Sequence, residues 1–537
     1  MKKILALVLI VGAAFFLRVH EFTTVPASLD WDEAAVGYNA YSILKTGKDE
    51  FGTVYPMAFR SFGDWKSPLY IYLTVPSIAA FGLNEMAVRL PSAIIGTLTV
   101  LGTYFLTRKL LGKEKIAVFA SAMLAISPWH LQFSRVAFEP ILVPFCVIWG
   151  FYFFLKSLGS PKWIYVSSTF FALSFYAYVG ARFFVPLFAI LIFFFFRRQV
   201  MAMKKHVIGA AILFLIVLVP LLPSITSTGG RVGGTSIFNS AEPTRMVNEY
   251  RHQDFLSNNR FSVIFHNKPL LWVEGFFLGY MRHLSPTYLF AGDNQLNWRV
   301  GSSLGILYLF EFPLILLIIL KIIRTRSRVG LFLLGWALIA PIPAAFTTET
   351  PHPLRSIGAI PALSILSAWG LSELLQVFRR RSVLVYALGL LAILNIANYF
   401  HFYYNHFPYY SSFDWQYGHK EVAQIVKDNY DKYDRIVMTP KFGQPYIFML
   451  FYLQYDPAKY QAEVAVKGDK AQKGFDKFEF RNVNILEEEK TRNSLLIASE
   501  EQLNKSDPRV KKVIYFKMPN EIAFIIADTG TKEIQQR

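Results

Sequence analysis

The stretch Ser28-Leu29-Asp30-Trp31-Asp32-Glu33-Ala34-Ala35 decides how the rest of the chain is read. It begins about ten residues beyond the apolar run Ile4–Leu17, so it lies just outside a membrane. Three acids in four residues are costly to desolvate beside a bilayer, and such a cluster points to a functional site. The competing structural reading is that Asp30, Asp32 and Glu33 cap the helix that follows, because acids favour helix N-termini.

The composition agrees with a membrane setting. Of 537 residues, 53% are hydrophobic and 16% aromatic, with only 17% charged. This is too apolar for a soluble globule and too interrupted by charge for a single anchor. The net charge of +18 sits mostly in short connections between apolar runs, so it bears on orientation and not on nucleic-acid binding. The single cysteine, Cys146, lies in an apolar run and excludes an intramolecular disulfide or a cysteine metal cluster. The N-terminus resembles a signal peptide but lacks a small-x-small cleavage site before Arg18, so an uncleaved first helix is expected.

Spanning helices need ~20 apolar residues. Eleven candidates occur, at 4–20, 89–107, 115–133, 139–156, 162–179, 182–197, 206–224, 303–323, 329–346, 354–377 and 382–400. Every second connection carries a basic cluster: Arg108 to Lys115, Lys156 and Lys162, Arg197 to Lys205, Lys321 to Arg328, and Arg379 to Arg381. The alternate short connections hold only single arginines, Arg135, Arg182 and Arg355. The positive-inside rule then predicts a cytoplasmic N-terminus, eleven spans and an extracytoplasmic C-terminus in the plasma membrane.

Three outer segments are long. The first, 20–88, holds the acids, with Ala34–Leu44 and Pro68–Phe81 expected as interfacial helices. The second, about 225–302, opens on a glycine-rich turn at 229–234; it lacks the GK[ST] ending of a phosphate loop and reads as a crossing loop. The third, 401–537, has the composition of a soluble α/β domain of ~120 residues. Lys420–Tyr430 predicts a helix; Arg435–Thr439, Phe478–Val483, Ser494–Ser499, Lys512–Phe516 and Ile522–Ala527 predict strands. The fold class is thus a polytopic α-helical membrane protein, residues 1–400, with a C-terminal α/β domain.

Asp30-Trp31-Asp32 spells the DxD of soluble nucleotide-sugar transferases, but no sheet strand precedes it. A carboxylate at the water–lipid boundary can instead act as general base toward a hydroxyl. Its neighbour Glu33 would raise its basicity or orient an acceptor. The lone outer cations Lys66, Arg135, Arg182 and Arg355 either snorkel to headgroups or converge as a phosphate clamp. Glu139, four residues after Arg135, is its ion-pair partner or a third acid of the site. His352, between two prolines, is a candidate phosphate or metal ligand. The aromatic block Phe400–Tyr410 reads as an interfacial belt.

The Asp32-Glu33 pair after the first helix resembles the polyprenyl-phosphate-dependent GT-C glycosyltransferases of the protein O-mannosyltransferase and aminoarabinose transferase type. So do Lys66-Ser67-Pro68-Leu69, a KPPL-like motif, and the following Gly82-Leu83-Asn84-Glu85-Met86-Ala87-Val88-Arg89-Leu90-Pro91-Ser92. The resemblance covers roughly residues 1–400. It implies inverting transfer of a sugar from a lipid-linked phosphate donor to a hydroxyl of a protein, glycan or lipid acceptor, outside the cytoplasm. Carried over, Asp32 is the base and Glu33 its partner. Asp30, Lys66, Arg135, Glu139, Arg182, His352 and Arg355 are candidate substrate ligands. Ser67 replaces the first proline of the motif, and Glu139 stands where relatives often carry Asp. No cofactor is expected: cations can neutralise a single leaving phosphate, and a divalent metal is the open alternative. The rival reading is a transporter or flippase of lipid-linked saccharides, which should show charges at helix midpoints and paired broken helices; a third is a scaffold displaying the tail, which leaves the acids unexplained.

Overall fold

A computed structural model describes residues 2–224, 234–292, 297–377, 382–490 and 493–530. The glycine-rich turn, Gly234 excepted, and the basic cluster Arg379–Arg381 lie outside the described residues.

Seven described helical segments are long and apolar enough to cross a membrane: Glu85–Leu111, Glu139–Ser157, Ala181–Ala202, Lys204–Ser224, Arg328–Ala345, Ile357–Gln376 and Val383–Asn405. The other four expected spans form helices of 13 to 18 residues: Lys2–Val19, Glu114–Ile126, Trp163–Ala177 and Glu311–Thr325. Local chemistry shortens them. Ser127-Pro128 ends one helix and caps the next, its hydroxyl facing the His130 amide, because proline cannot donate into a continuing helix. Trp163–Ala177 stops where Tyr178 turns extended.

In the first outer segment, helix Trp31–Thr46 and helix Pro68–Phe81 flank a short hairpin, β1 (Phe59–Ser61) and β2 (Asp64–Lys66). Its two-residue turn, Phe62-Gly63, has positive φ at both positions, 52° and 77°. That is the twist a tight hairpin requires, and a phenylalanine adopts it only where packing holds it there.

After residue 410 the chain builds one mixed sheet in the order β4-β3-β5-β7-β6. Its strands are β3 (Arg435–Met438), β4 (Phe478–Phe480), β5 (Ser494–Ala498), β6 (Val510–Tyr515) and β7 (Ile522–Asp528). β3 runs parallel to β4 and β5, and β7 antiparallel to β5 and β6. Every residue of β7 is buried, so the sheet is covered on both faces. This C-terminal unit shares its core with the first outer segment. Helix Pro445–Tyr452 lies on helix Trp31–Thr46 so closely that a Cβ on Gly37 would stand 2.5 Å from the Phe451 ring. Gln461 Nε2 donates to Ser42 Oγ, Thr46 Oγ1 and the Asp49 carbonyl.

A buried polar pair reinforces that seam. Asn39 Nδ2 donates to Glu50 Oε1 at 2.9 Å, and the Glu50 amide donates to Asn39 Oδ1 at 3.0 Å. Burial, with Asp49 adding to it, pushes the Glu50 carboxyl up to about 8.

Candidate active site

Each of the three neighbouring acids has a different job. Asp30 is extended at the N-cap of helix Trp31–Thr46, and its Oδ1 accepts the Asp32 amide at 2.7 Å. Glu33 Oε2 accepts the Asp30 amide in return, closing a capping box. The capping interpretation is therefore correct for Asp30, whose carboxyl is raised well above the usual carboxylate range by burial and then by the Asp32 charge. One of its oxygens, Oδ1, thus serves the helix.

The Glu33 carboxylate points into the protein and is wholly buried. Arg89 Nε donates to Oε1 at 2.8 Å and Nη2 to Oε2 at 2.6 Å, while the Ala137 amide donates to Oε1 at 2.7 Å. Arg89 also donates to the Phe22 and Ser28 carbonyls. Buried and bonded to Arg89 and the Ala137 amide, Glu33 anchors the helix that carries Asp32.

Asp32 alone keeps an open face. Its side chain is 36% exposed and meets Lys66 Nζ at 2.6 Å. Lys66 ends β2 and is held there by Ser67, extended, and Pro68, the first residue of the next helix; a proline at that position has its φ preset for the helix. Asp32 and Lys66 line a cleft of about 310 Å³ with Trp31, Ser61, Phe62, Asp64 and Gln444. The Trp31 and Phe62 rings are 6.3 Å apart and form its aromatic wall. The Ser61 hydroxyl is buried with no hydrogen-bond partner among the described residues. The C-terminal unit supplies the rest. Gln416 Oε1 accepts the Trp31 amide at 3.1 Å. Gly443, at φ +109°, lets the backbone pass where a Cβ would stand 2.3 Å from the Trp31 ring.

Each outer cation has contacts of its own within the protein. Arg135 is fully buried and donates to Tyr403 Oη at 3.0 Å, Tyr404 Oη, and the Leu17 and Val25 carbonyls. Its donors are engaged within the protein, and its burial does not fit a side chain snorkelling to headgroups. Tyr403 is accordingly interior and not part of an interfacial belt. Glu139 does not pair with Arg135, because residues 134–138 break the helix and Glu139 opens a separate 3-10 turn. Arg182 Nε donates to the Phe175 carbonyl. His352 and Arg355 do meet. Arg299 Nη1 bonds His352 Nε2 at 2.7 Å, and Arg355 donates to Thr347 Oγ1 at 2.8 Å. All three converge on Glu349 Oε2, at 3.6, 3.7 and 3.5 Å for Arg299, His352 and Arg355.

Sequence reasoning missed Arg89, Arg299, Gln416 and Gln444. Arg89 left one signal: an arginine in an apolar run survives only if paired. No described group of three or more His, Cys, Asp or Glu side chains is arranged to hold a metal.

Residues 65–223 match the family described as dolichyl-phosphate-mannose-protein mannosyltransferase. No curated protein matches the sequence. Among solved structures, ArnT from Cupriavidus metallidurans bound to undecaprenyl phosphate aligns over 98% of both chains, with 13% identity and a TM-score of 0.57. The same protein in the apo state aligns over 97% of both, with 14% identity and a TM-score of 0.56. The oligosaccharyltransferase AglB from Archaeoglobus fulgidus, in complex with an inhibitory peptide and a dolichol-phosphate, aligns over 84% of this chain at 13% identity and a TM-score of 0.50. This chain spans 63% of that protein's length. The chain thus shares its fold with these membrane proteins, and residues 65–223 are similar to the mannosyltransferase family, in line with the resemblance drawn from the acid pair and the KPPL-like motif.

Proposed function

We propose that this protein is an integral-membrane, inverting glycosyltransferase that moves a sugar from a polyprenyl-phosphate donor to a hydroxyl acceptor on the extracytoplasmic side. The observation that carries this reading is the Asp32–Lys66 pair, a base and a phosphate ligand 2.6 Å apart in one open cleft. The donor phosphate competes for Lys66 Nζ as it arrives, which releases Asp32 from its ion pair. Asp32 then accepts the proton of the acceptor hydroxyl as that oxygen bonds to the anomeric carbon. The bond from that carbon to the phosphate oxygen breaks on the opposite face, and Lys66 neutralises the departing charge. General base catalysis of this kind contributes ~10²–10⁴-fold. Glu33 and Arg89 act through position, fixing the helix from below.

The reaction calls on no cofactor, since the leaving group is one phosphate. His352 and Arg355 stay in the reading as donor ligands on a single ground: with Arg299 they already surround one carboxylate oxygen, a seat suited to an anion. Eleven spans, a cytoplasmic N-terminus and an extracytoplasmic unit after residue 401 complete the picture, supported by the alternation of basic connections. The partners are the bilayer, the lipid-linked donor, and a protein, glycan or lipid acceptor. The test is incubation of the purified protein with a panel of polyprenyl-phosphate sugars. Release of polyprenyl phosphate that disappears in Asp32→Asn supports the assignment, and no release with any donor removes it.

A further inference from the structure

Between the spans that end at Ser224 and begin near Glu311 the chain forms an arm: helix Ala241–Leu256, a turn, the short helix Ser262–Phe265 and helix Lys268–Leu284. Its tip exposes a group of large apolar side chains on either side of the polar turn Ser257-Asn258-Asn259-Arg260. Phe255, Leu256, Phe261, Val263, Ile264 and Phe265 are between 58% and 80% exposed. Along helix Lys268–Leu284 the stripe continues through Leu270, Val273, Phe277, Leu278 and Met281, all exposed. Their spacing of 3, 4, 1 and 3 residues puts them on one helical face. Surfaces of this size do not stay in water without a partner.

The other face of that helix shows at what level it sits. The Phe276 ring lies 4.5 Å from that of Phe346, tilted by 34°, and Tyr280 Oη donates to the Leu338 carbonyl at 2.9 Å. Leu338 belongs to the spanning segment Arg328–Ala345 and is itself exposed, as a lipid-facing residue is. The apolar stripe is therefore continuous with the lipid-facing surface of a span. Part of the polar complement of the tip is paired within the arm, while Arg260 and Lys268 stay exposed at its rim. Asp254 accepts from Asn259 and bonds His266, Arg251 Nε donates to the His266 carbonyl, and Asn267 caps the last helix through the Leu270 amide. Exposed large apolar side chains rimmed by basic residues are the pattern of a segment lying at the headgroup–acyl boundary.

We propose that this arm is a monotopic wedge, its tip and stripe inserted into the lipid leaflet on the cleft side of the membrane. The occupant of the apolar face is lipid, and the inference does not depend on the reaction. The wedge also has an inward connection. At its end His283 Nε2 accepts the His352 amide at 2.9 Å, so the depth of the arm fixes the height of the Arg299–His352–Arg355 cluster relative to the lipid headgroups.

The experiment uses full-length protein in phospholipid nanodiscs, with Cys146→Ala as background and an environment-sensitive fluorophore on single cysteines. Val263→Cys and Phe277→Cys report the face; Glu249→Cys on the arm and Lys505→Cys in the C-terminal unit are the aqueous controls. Lipids carrying a nitroxide on the acyl chain should quench the Val263 and Phe277 labels about twofold or more beyond the controls, as expected for a face ~5–10 Å into the headgroup–acyl boundary. Quenching no greater than at Lys505 overturns the wedge. Blue-shifted emission without nitroxide quenching also overturns it, because protein and not lipid then covers the face. If either labelled variant fails to elute as a folded monodisperse species, Phe265→Cys and Met281→Cys read the same face.

Discussion

Lys66 and Arg89 hold adjacent carboxylates of one helix: Lys66 Nζ meets Asp32 in the open cleft, while Arg89 meets Glu33, one residue on, in the interior. Neighbouring carboxylates are thus separated into one that is open to the cleft and one consumed by structure.

Asp32→Asn should fold normally, since Asp30 is the residue that caps the helix. Turnover should fall ~10²–10⁴-fold with loss of the proton acceptor, or ~3–5 kcal/mol of barrier. Asp30→Asn should be mild, because asparagine caps about as well as aspartate. Rates of donor turnover for the two variants check this, and a severe Asp30→Asn with a mild Asp32→Asn would reverse the assignment.

Breaking the buried pair should be a matter of stability. Arg89→Ala or Glu33→Gln should each cost ~3–5 kcal/mol by stranding a buried charge or its donors. The double variant should cost clearly less than the sum. Thermal unfolding in detergent reads this, and additive losses would mean the two side chains are not one unit.

Lys66 and Arg135 should behave differently although both were candidate phosphate ligands. Lys66→Ala should weaken polyprenyl-phosphate binding by ~1.5–3 kcal/mol, the worth of a charge-assisted bond. Arg135→Ala should lower the melting temperature and leave the affinity of the surviving folded protein nearly unchanged. Equal affinity losses would return Arg135 to the donor site.

The seam at Glu50 should make stability fall as pH rises. Its folded pKa, about 8, lies above the ordinary carboxylate value, so between those two values the folded state holds the proton and the unfolded chain does not. Melting temperature should therefore decline from pH 5 toward pH 8 by the Glu50 contribution. Glu50→Gln keeps an acceptor for Asn39 and should flatten that decline; an unchanged slope would assign it to other groups.

What could be seen in the sequence was local. The pattern Asp30-x-x-Glu33 is a capping signature, and each of the five β-branched or aromatic runs from Arg435 onward overlaps an observed strand, with ends that differ by up to three residues. What was missed was long-range or ambiguous. Nothing local links Glu33 to Arg89, 56 positions away. Arg135 and Glu139 have helical spacing, but the chain leaves the helix between them. Helix Pro445–Tyr452 is an eight-residue apolar run, and periodicity does not separate a buried strand from a buried helix at that length.

The bond from the Trp31 amide to Gln416 crosses 385 positions of sequence. A nascent chain arrested at residue 400 would already own both acids, Lys66 and Arg89. It would still lack the acceptor for the first helical amide and the Gln444 wall of the cleft. The cleft is therefore completed only when the last quarter of the polypeptide has been made and folded back, so a shortened translation product would carry the acids without the wall that closes over them.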